Sequence, residues 1–199
     1  STCTLTATAN TGFQFQNWTL NGTVVSTSPN YTFTVTGAAN YVAHFQYVQS
    51  RTLVSGWNWW STYIEQNGSN GLEMLENSLG TSGIRIQGKN NSVDYFEYQG
   101  TGYWYGSLNT LTNEQMYMIR TSAACDAVIV GDAALPSNHP ITINGGWNWI
   151  GYPYSQSVSV EAAMAGFTPE PNDVIKGRSN ASMYLSYGGY QGWYGQLNT

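Results

Sequence analysis

Along the first quarter of the chain apolar and polar positions alternate with period two, the mark of half-buried strands. Cys3, Leu5 and Ala7 alternate with threonines, Asn10-Thr11-Gly12 reads as a turn, and Phe13, Phe15 and Trp18 follow. Asn21-Gly22 is a hairpin signal, after which Tyr31, Phe33 and Val35 alternate before Tyr41, Ala43 and Phe45. The pattern predicts an antiparallel β module of four or five strands over residues 1–48, with no room for a long helix. Residues 47–51 read as a short polar hinge.

Beyond the hinge one pattern is used twice. Gly56-Trp57-Asn58-Trp59-Trp60 opens a unit that closes with Trp104-Tyr105-Gly106-Ser107-Leu108-Asn109-Thr110. Gly146-Trp147-Asn148-Trp149-Ile150 opens a second, which closes with Trp193-Tyr194-Gly195-Gln196-Leu197-Asn198-Thr199. The openings lie 90 residues apart and the closings 89, so one structural unit is repeated nearly in register.

Inside each unit the period changes. Leu72, Leu75 and Leu79 in the first, and Val160, Ala163, Met164 and Phe167 in the second, recur at helical spacing. Asn70 with Glu73 resembles a capping box and Gly80 a helix stop; Ser159 and Gly166 can serve the second helix in the same way. Two short apolar runs and an aromatic hairpin follow, so each unit reads strand, helix, strand, strand, turn, strand. The first unit runs on through Met116-Tyr117-Met118-Ile119 and Ala127-Val128-Ile129-Val130, whereas the second stops at Thr199. Either a longer chain continues or a strand from elsewhere fills the gap; an excised fragment is the favoured reading, since residue 1 also reads as lying inside a strand.

Alternation puts Trp57 and Trp59 on one face of the opening strand, and Asn58 with Trp60 on the other. The second unit has Trp147, Asn148 and Trp149 but Ile150 in place of Trp60. A position that takes Trp or Ile reads as core. The opening tryptophans are therefore expected in the core or between the halves, with Asn58 and Asn148 bonded to nearby backbone.

Composition narrows the class. Charged residues make up 9% and aromatics 15%, so Thr, Ser, Asn, Gln and Gly must carry solubility, as suits an extracellular β-rich protein. The net charge is −5 with six scattered Lys and Arg, which excludes the clustered basic surface that nucleic-acid binding needs. No run approaches a membrane span. Cys3 and Cys125 fit no disulfide framework and read as two buried or free thiols, although a pairing between them stays open.

Catalysis needs convergent groups, and the sequence offers none. His44 reads as a strand end and His139 as a loop residue in Pro136-Ser137-Asn138-His139-Pro140. Glu65, Glu73, Glu76, Glu161, Asp94, Asp126, Asp132 and Asp173 are dispersed, and Val128 and Val130 occupy the places where a calcium loop between Asp126 and Asp132 needs oxygen ligands. The reading is no enzyme, no metal and no cofactor. The one sharp candidate is the Tyr and Trp rings beside the glycine turns: Tyr103, Trp104, Tyr105, Tyr190, Trp193 and Tyr194. A ring can cover the apolar face of a sugar, and two equivalent patches would add avidity, but tyrosines on strands also form cross-strand pairs with no ligand at all.

Two resemblances extend this reading. Leu5-Thr6-Ala7-Thr8-Ala9-Asn10, Gly12-Phe13-Gln14-Phe15, Trp18, Asn21-Gly22, Tyr31-Thr32-Phe33-Thr34-Val35 and Tyr41-Val42-Ala43-His44-Phe45 resemble the divergent internalin-type B repeat of bacterial surface proteins. That resemblance implies a compact β-grasp-like bead strung in a long extracellular chain. Leu53-Val54-Ser55-Gly56-Trp57-Asn58-Trp59 and residues 141–149 are similar to the "G-W-N" repeats of secreted bacterial multidomain proteins, which imply location and modularity but no activity.

The expected fold is mainly β, α+β in its second part: a β-grasp-like module over 1–48 and a pseudo-two-fold pair over 49–199. Its halves fall at about 49–140 and 141–199, the second truncated, each an antiparallel sheet with one short helix. The expected function is a non-catalytic spacer or adhesion segment of a larger secreted or surface-anchored bacterial protein. The alternative is a carbohydrate-binding module attached to a glycan-degrading enzyme. Partners would be a glycan, a host or cell-surface protein and neighbouring domains of a longer chain, with no nucleic acid and no membrane span.

Overall fold

The structure is a computed structural model that describes residues 1–66, 68 and 70–197. The last two residues of the second closing motif, Asn198 and Thr199, lie outside the described residues. The molecule is mainly β, with antiparallel sheets and little helix.

The elements run β1 (Thr2–Thr6), β2 (Phe13–Leu20), β3 (Thr23–Ser26), β4 (Asn30–Thr34), β5 (Tyr41–Leu53), β6 (Gly56–Trp60), α1 (Gly71–Leu79), β7 (Gly83–Gln87), β8 (Ser92–Tyr98) and β9 (Thr101–Gly106). They continue with β10 (Tyr117–Thr121), β11 (Cys125–Gly131), α2 (Val160–Ala163), β12 (Val174–Lys176), β13 (Ala181–Tyr187) and β14 (Tyr190–Gly195). Strand orders are β1-β4, β11-β5-β2-β3, β6-β10-β7-β8-β9 and β12-β13-β14.

The amino-terminal block, for which alternation predicts four or five strands, holds β1 to β4 and the first part of β5. Asn21 and Gly22 both take positive φ, 51° and 81°, as a two-residue primed turn between twisted strands requires. Trp18 is buried, and its indole N–H donates to the Pro29 carbonyl at 3.3 Å. Phe15 meets Phe45 edge-on at 5.8 Å across the β2-β5 pair.

The expected hinge is a correction. Residues 47–51 are the middle of β5, thirteen residues long, whose first half pairs with β2 and whose second half pairs with β11. Tyr47, Val48 and Gln49 are partly buried and Ser50 and Arg51 exposed, so a polar stretch continues the strand because β11 takes over the pairing where β2 leaves off. Gln49 fastens the join, its amide N–H donating to the Ser61 carbonyl at 2.7 Å while its carbonyl oxygen accepts from Thr62 Oγ1 and the Tyr63 N–H.

The main core forms where the inner face of the five-stranded sheet meets α1 and β11. Leu53, Trp60, Leu75, Ile86, Tyr117, Ile119 and Ile129 are almost fully buried there. Leu75 and Leu79 on α1 point inward as their spacing predicts, and Gly80 ends the helix at φ 51°. The capping box does not form, since Asn70 sits at φ −96°, ψ 34° with no side-chain cap bond. The second helix keeps its predicted cap, with the Ala162 N–H donating to Ser159 Oγ at 3.2 Å, but it spans only four residues.

The second opening departs from the expected strand. Residues 146–149 form no strand, and only Ile150 pairs, with Gln115. In the first half β6 exists because β10 pairs along its length, whereas no strand lies along residues 146–149 among the described residues. Strand backbone needs a partner for its N–H and C=O groups, and alternation alone supplies none. The expected burial of the tryptophans is corrected too: Trp60 is core, but Trp57 is 37% and Trp147 70% exposed, with Trp59 and Trp149 partly buried.

Candidate functional site

The six candidate rings stand on strands and not in loops. The turns are only Gln99-Gly100, at φ 52° and 75°, and Gly188-Gly189, at φ 61° and 86°, so pairing resumes at Thr101 and Tyr190. Alternation then divides the rings by face. Trp104 and Trp193 point into the protein, where Trp104 meets Tyr95 edge-on at 5.5 Å and Trp193 meets Tyr184 edge-on at 5.6 Å. Trp193 is 5% exposed and Trp104 partly buried, so the most open rings are the tyrosines on the other face. Tyr103, Tyr105, Tyr190 and Tyr194 face solvent.

The hairpins superpose in sequence at an offset of 89, which pairs Tyr105 with Tyr194 but Tyr103 with Gly192, and Tyr190 with Thr101. The outer faces are therefore not two copies of one patch: Asp94 and Phe96 in the first correspond to Met183 and Leu185 in the second.

On the first sheet the outer face carries a row that crosses all five strands. Trp57, Arg120, Arg85, Asp94 and Tyr105 stand opposite one another in register. Four strand spacings of about 4.8 Å separate its end rings by about 19 Å. The Arg85 guanidinium holds Asp94 with donor distances of 3.2 and 3.3 Å, and it also donates to Ser92 Oγ at 2.8 Å. Phe96 opposite Tyr103, both more than half exposed, widens the row at its β8-β9 end. The row was hidden in the sequence because Trp57 and Tyr105 are far apart along the chain, and the strand order that joins them is not local.

Asn58 and Asn148 make the same staple. Asn58 Nδ2 donates to the Val54 and Gly56 carbonyls at 2.8 and 3.1 Å, and the Val54 N–H donates back to its Oδ1 at 3.1 Å. Asn148 Nδ2 donates to the Asn144 and Gly146 carbonyls at 2.7 and 3.0 Å, and the Asn144 N–H donates back at 3.2 Å. The motif thus encodes a closed turn ahead of the opening strand, which forms even where the strand does not.

The histidines have partners that their sequence neighbours did not reveal. His44 Nε2 lies 2.9 Å from Thr19 Oγ1 on the neighbouring strand. His139 sits between two carboxylates, Nδ1 2.7 Å from Glu114 Oε1 and Nε2 3.0 Å from Glu65 Oε2. Burial alone would lower the His139 pKa, but these hydrogen bonds and the two negative charges raise it. Glu114 shifts down: burial pushes it up, and the bond to His139 with its own backbone bond outweighs that push. Two further carboxylates hold nearby groups, Asp126 accepting from Thr52 Oγ1 at 2.6 Å and Asp173 from the Glu170 N–H at 2.8 Å.

Cys3 and Cys125 are both free thiols of intermediate exposure, and burial followed by the neighbouring Asp126 raises the Cys125 pKa. Among the described residues no group of three or more His, Cys, Asp or Glu could hold a metal ion, and no helix is long and apolar enough to cross a membrane.

Comparison with known proteins finds no curated protein and no solved structure that matches the chain significantly. Residues 1–49 match the family model described as the divergent InlB B-repeat domain, a type of module that points to a bacterial surface or extracellular protein.

Proposed function

We propose that the chain is a non-catalytic extracellular spacer or adhesion segment of a larger secreted or surface-anchored bacterial protein. In this reading residues 1–48 are a β-grasp-like bead and residues 49–199 a duplicated pair of the G-W-N type. The observation that carries it is β5: the B-repeat-like module passes into the next unit through one uninterrupted strand, paired with β2 over its first half and with β11 over its second. A joint of that kind holds two modules at a set angle, which serves a spacer and needs no chemistry.

A second reading is favoured by the cross-strand row: a carbohydrate-binding face on the five-stranded sheet. Two exposed rings about 19 Å apart with an Arg-Asp pair between them suit an extended glycan, rings covering sugar faces and the charged groups meeting hydroxyls.

A glycan array run on the intact protein and on a Trp57→Ala, Tyr105→Ala double variant, with a panel of glycosidase and peptidase substrates, separates the readings. The spacer reading expects no turnover and no retention that depends on these rings. Retention lost in the double variant replaces it with the carbohydrate-binding face, and turnover that tracks the intact protein through purification overturns the non-catalytic reading.

A further inference from the structure

Two of the chain's six basic side chains meet at the centre of the cross-strand row. Arg120 on β10 stands directly opposite Arg85 on one side and Trp57 on the other. Like charges opposite one another on a sheet repel, and the row holds a single carboxylate to offset them. That carboxylate is already engaged: both oxygens of Asp94 accept from Arg85 Nη1, while Ser92 Oγ takes Nη2. Arg120 is exposed, and none of the ion pairs among the described residues includes it. Two guanidiniums and one carboxylate leave the row one net positive charge, in a chain whose overall charge is −5.

The place of that charge selects the molecule it suits. Arg120 lies one strand spacing from Trp57, about 4.8 Å, and three from Tyr105, about 14 Å. A ligand unit stacked on Trp57 therefore brings its substituents within reach of the Arg120 guanidinium, which can hold a carboxylate through two parallel bonds. The neighbouring Arg85-Asp94 pair offers donors and acceptors together, a match for hydroxyls, and Asp94 disfavours a second anion beside it. A glycan supplies hydroxyls and an apolar ring face at every unit, whereas an acidic peptide supplies the charge without the hydroxyls.

A protein segment suits this face less. The first unit is filled, since β10 already lies between β6 and β7 and the inner face packs on α1 and β11. A domain packed over the row would take an uncompensated guanidinium out of water, which is costly. A polysaccharide lying along the row leaves the charged groups partly hydrated and supplies the missing carboxylate.

We infer that the ligand of this outer face is an acidic glycan, a polysaccharide bearing carboxylates. Arg120 binds one carboxylate, Trp57 stacks on a sugar ring, and the Arg85-Asp94 pair meets hydroxyls of the neighbouring unit. The ligand class rests on the carbohydrate-binding reading of the row.

The test is affinity electrophoresis of the intact chain through gels holding polygalacturonate, alginate or hyaluronan, each beside its methyl-esterified form. Neutral glucan, neutral galactan and poly-glutamate gels run in parallel. At least one acidic polysaccharide is expected to retard the protein, and its methyl ester to bind about tenfold or more weakly as a charged hydrogen-bonded contact is lost. Arg120→Gln, with folding checked by circular dichroism, is expected to bind the acid form no better than the ester, and Arg120→Lys to keep part of the difference. Equal binding of acid and ester, retention on neutral glycans alone, or acid binding unchanged in Arg120→Gln overturns the inference and leaves the carbohydrate-binding face standing. No retention by any glycan overturns both. Retention by poly-glutamate as strong as by the polysaccharides also overturns the inference and assigns the face to an acidic protein.

Discussion

His139 Nδ1 lies 2.7 Å from Glu114 Oε1, and its other ring nitrogen lies 3.0 Å from Glu65 Oε2, so one imidazole ties three loops of the chain together. The clamp is strongest when the ring is charged and donates to both carboxylates. The raised His139 pKa adds stability below the unfolded value of 6.5, and this is lost as pH rises through the folded value. The lowered Glu114 pKa adds stability above its unfolded value of 4.5, lost as pH falls through the folded one. The contribution is therefore greatest between pH 4.5 and 6.5. His139→Gln should lower stability by roughly 0.5–1 kcal/mol at pH 5.5, because the carboxylates are partly screened by solvent, and by less at pH 8.5. Urea unfolding at the two values checks it; an equal loss at both would refute the clamp.

Asn113 is 1% exposed and makes three bonds at once. Its Oδ1 accepts from the Gln66 N–H at 3.0 Å, and its Nδ2 donates to the Thr62 and Ile64 carbonyls at 3.1 and 2.8 Å. Asn113→Ala should cost roughly 2–3 kcal/mol, as buried backbone groups lose partners that water cannot replace. Thermal denaturation would show this as a clear drop in Tm.

The two asparagine staples separate burial from geometry. Asn58 is buried beneath the sheet and Asn148 is not, although their bonds match. Asn58→Ala should cost about 1–3 kcal/mol and Asn148→Ala about 0.5–1 kcal/mol, since an exposed turn can bond to water instead. Chemical denaturation of both variants should rank them in that order.

Rings on opposite faces of one hairpin should behave differently. Trp193→Ala removes a buried ring that packs on Tyr184 and should cost roughly 3–5 kcal/mol. Tyr105, 78% exposed, should be replaceable by Ala within about 0.5 kcal/mol. A large loss for Tyr105→Ala would mean that the outer row is structural and not a surface held open for a ligand.

What the residues alone determined was local. Alternation, the Asn21-Gly22 turn and the helical spacing of Leu72, Leu75 and Leu79 placed strands, hairpins and α1, because each depends on dihedral preference and on which side of a short segment is apolar. The repeat also located matching details, from the asparagine staples to the Tyr95-Trp104 and Tyr184-Trp193 pairs. Which strands become neighbours was decided only in three dimensions. β10 inserts between β6 and β7 after a long excursion, β5 runs through the supposed hinge to pair with β2 and then with the distant β11 in one sheet, and residues 146–149 stay out of any strand for want of a partner. The same nonlocal pairing brings Trp57 and Tyr105 into one row and His139 between Glu65 and Glu114. A strand's hydrogen bonds and a charge's counter-ion come from distant segments, so their identity rests on tertiary closure and leaves no mark in the neighbouring residues.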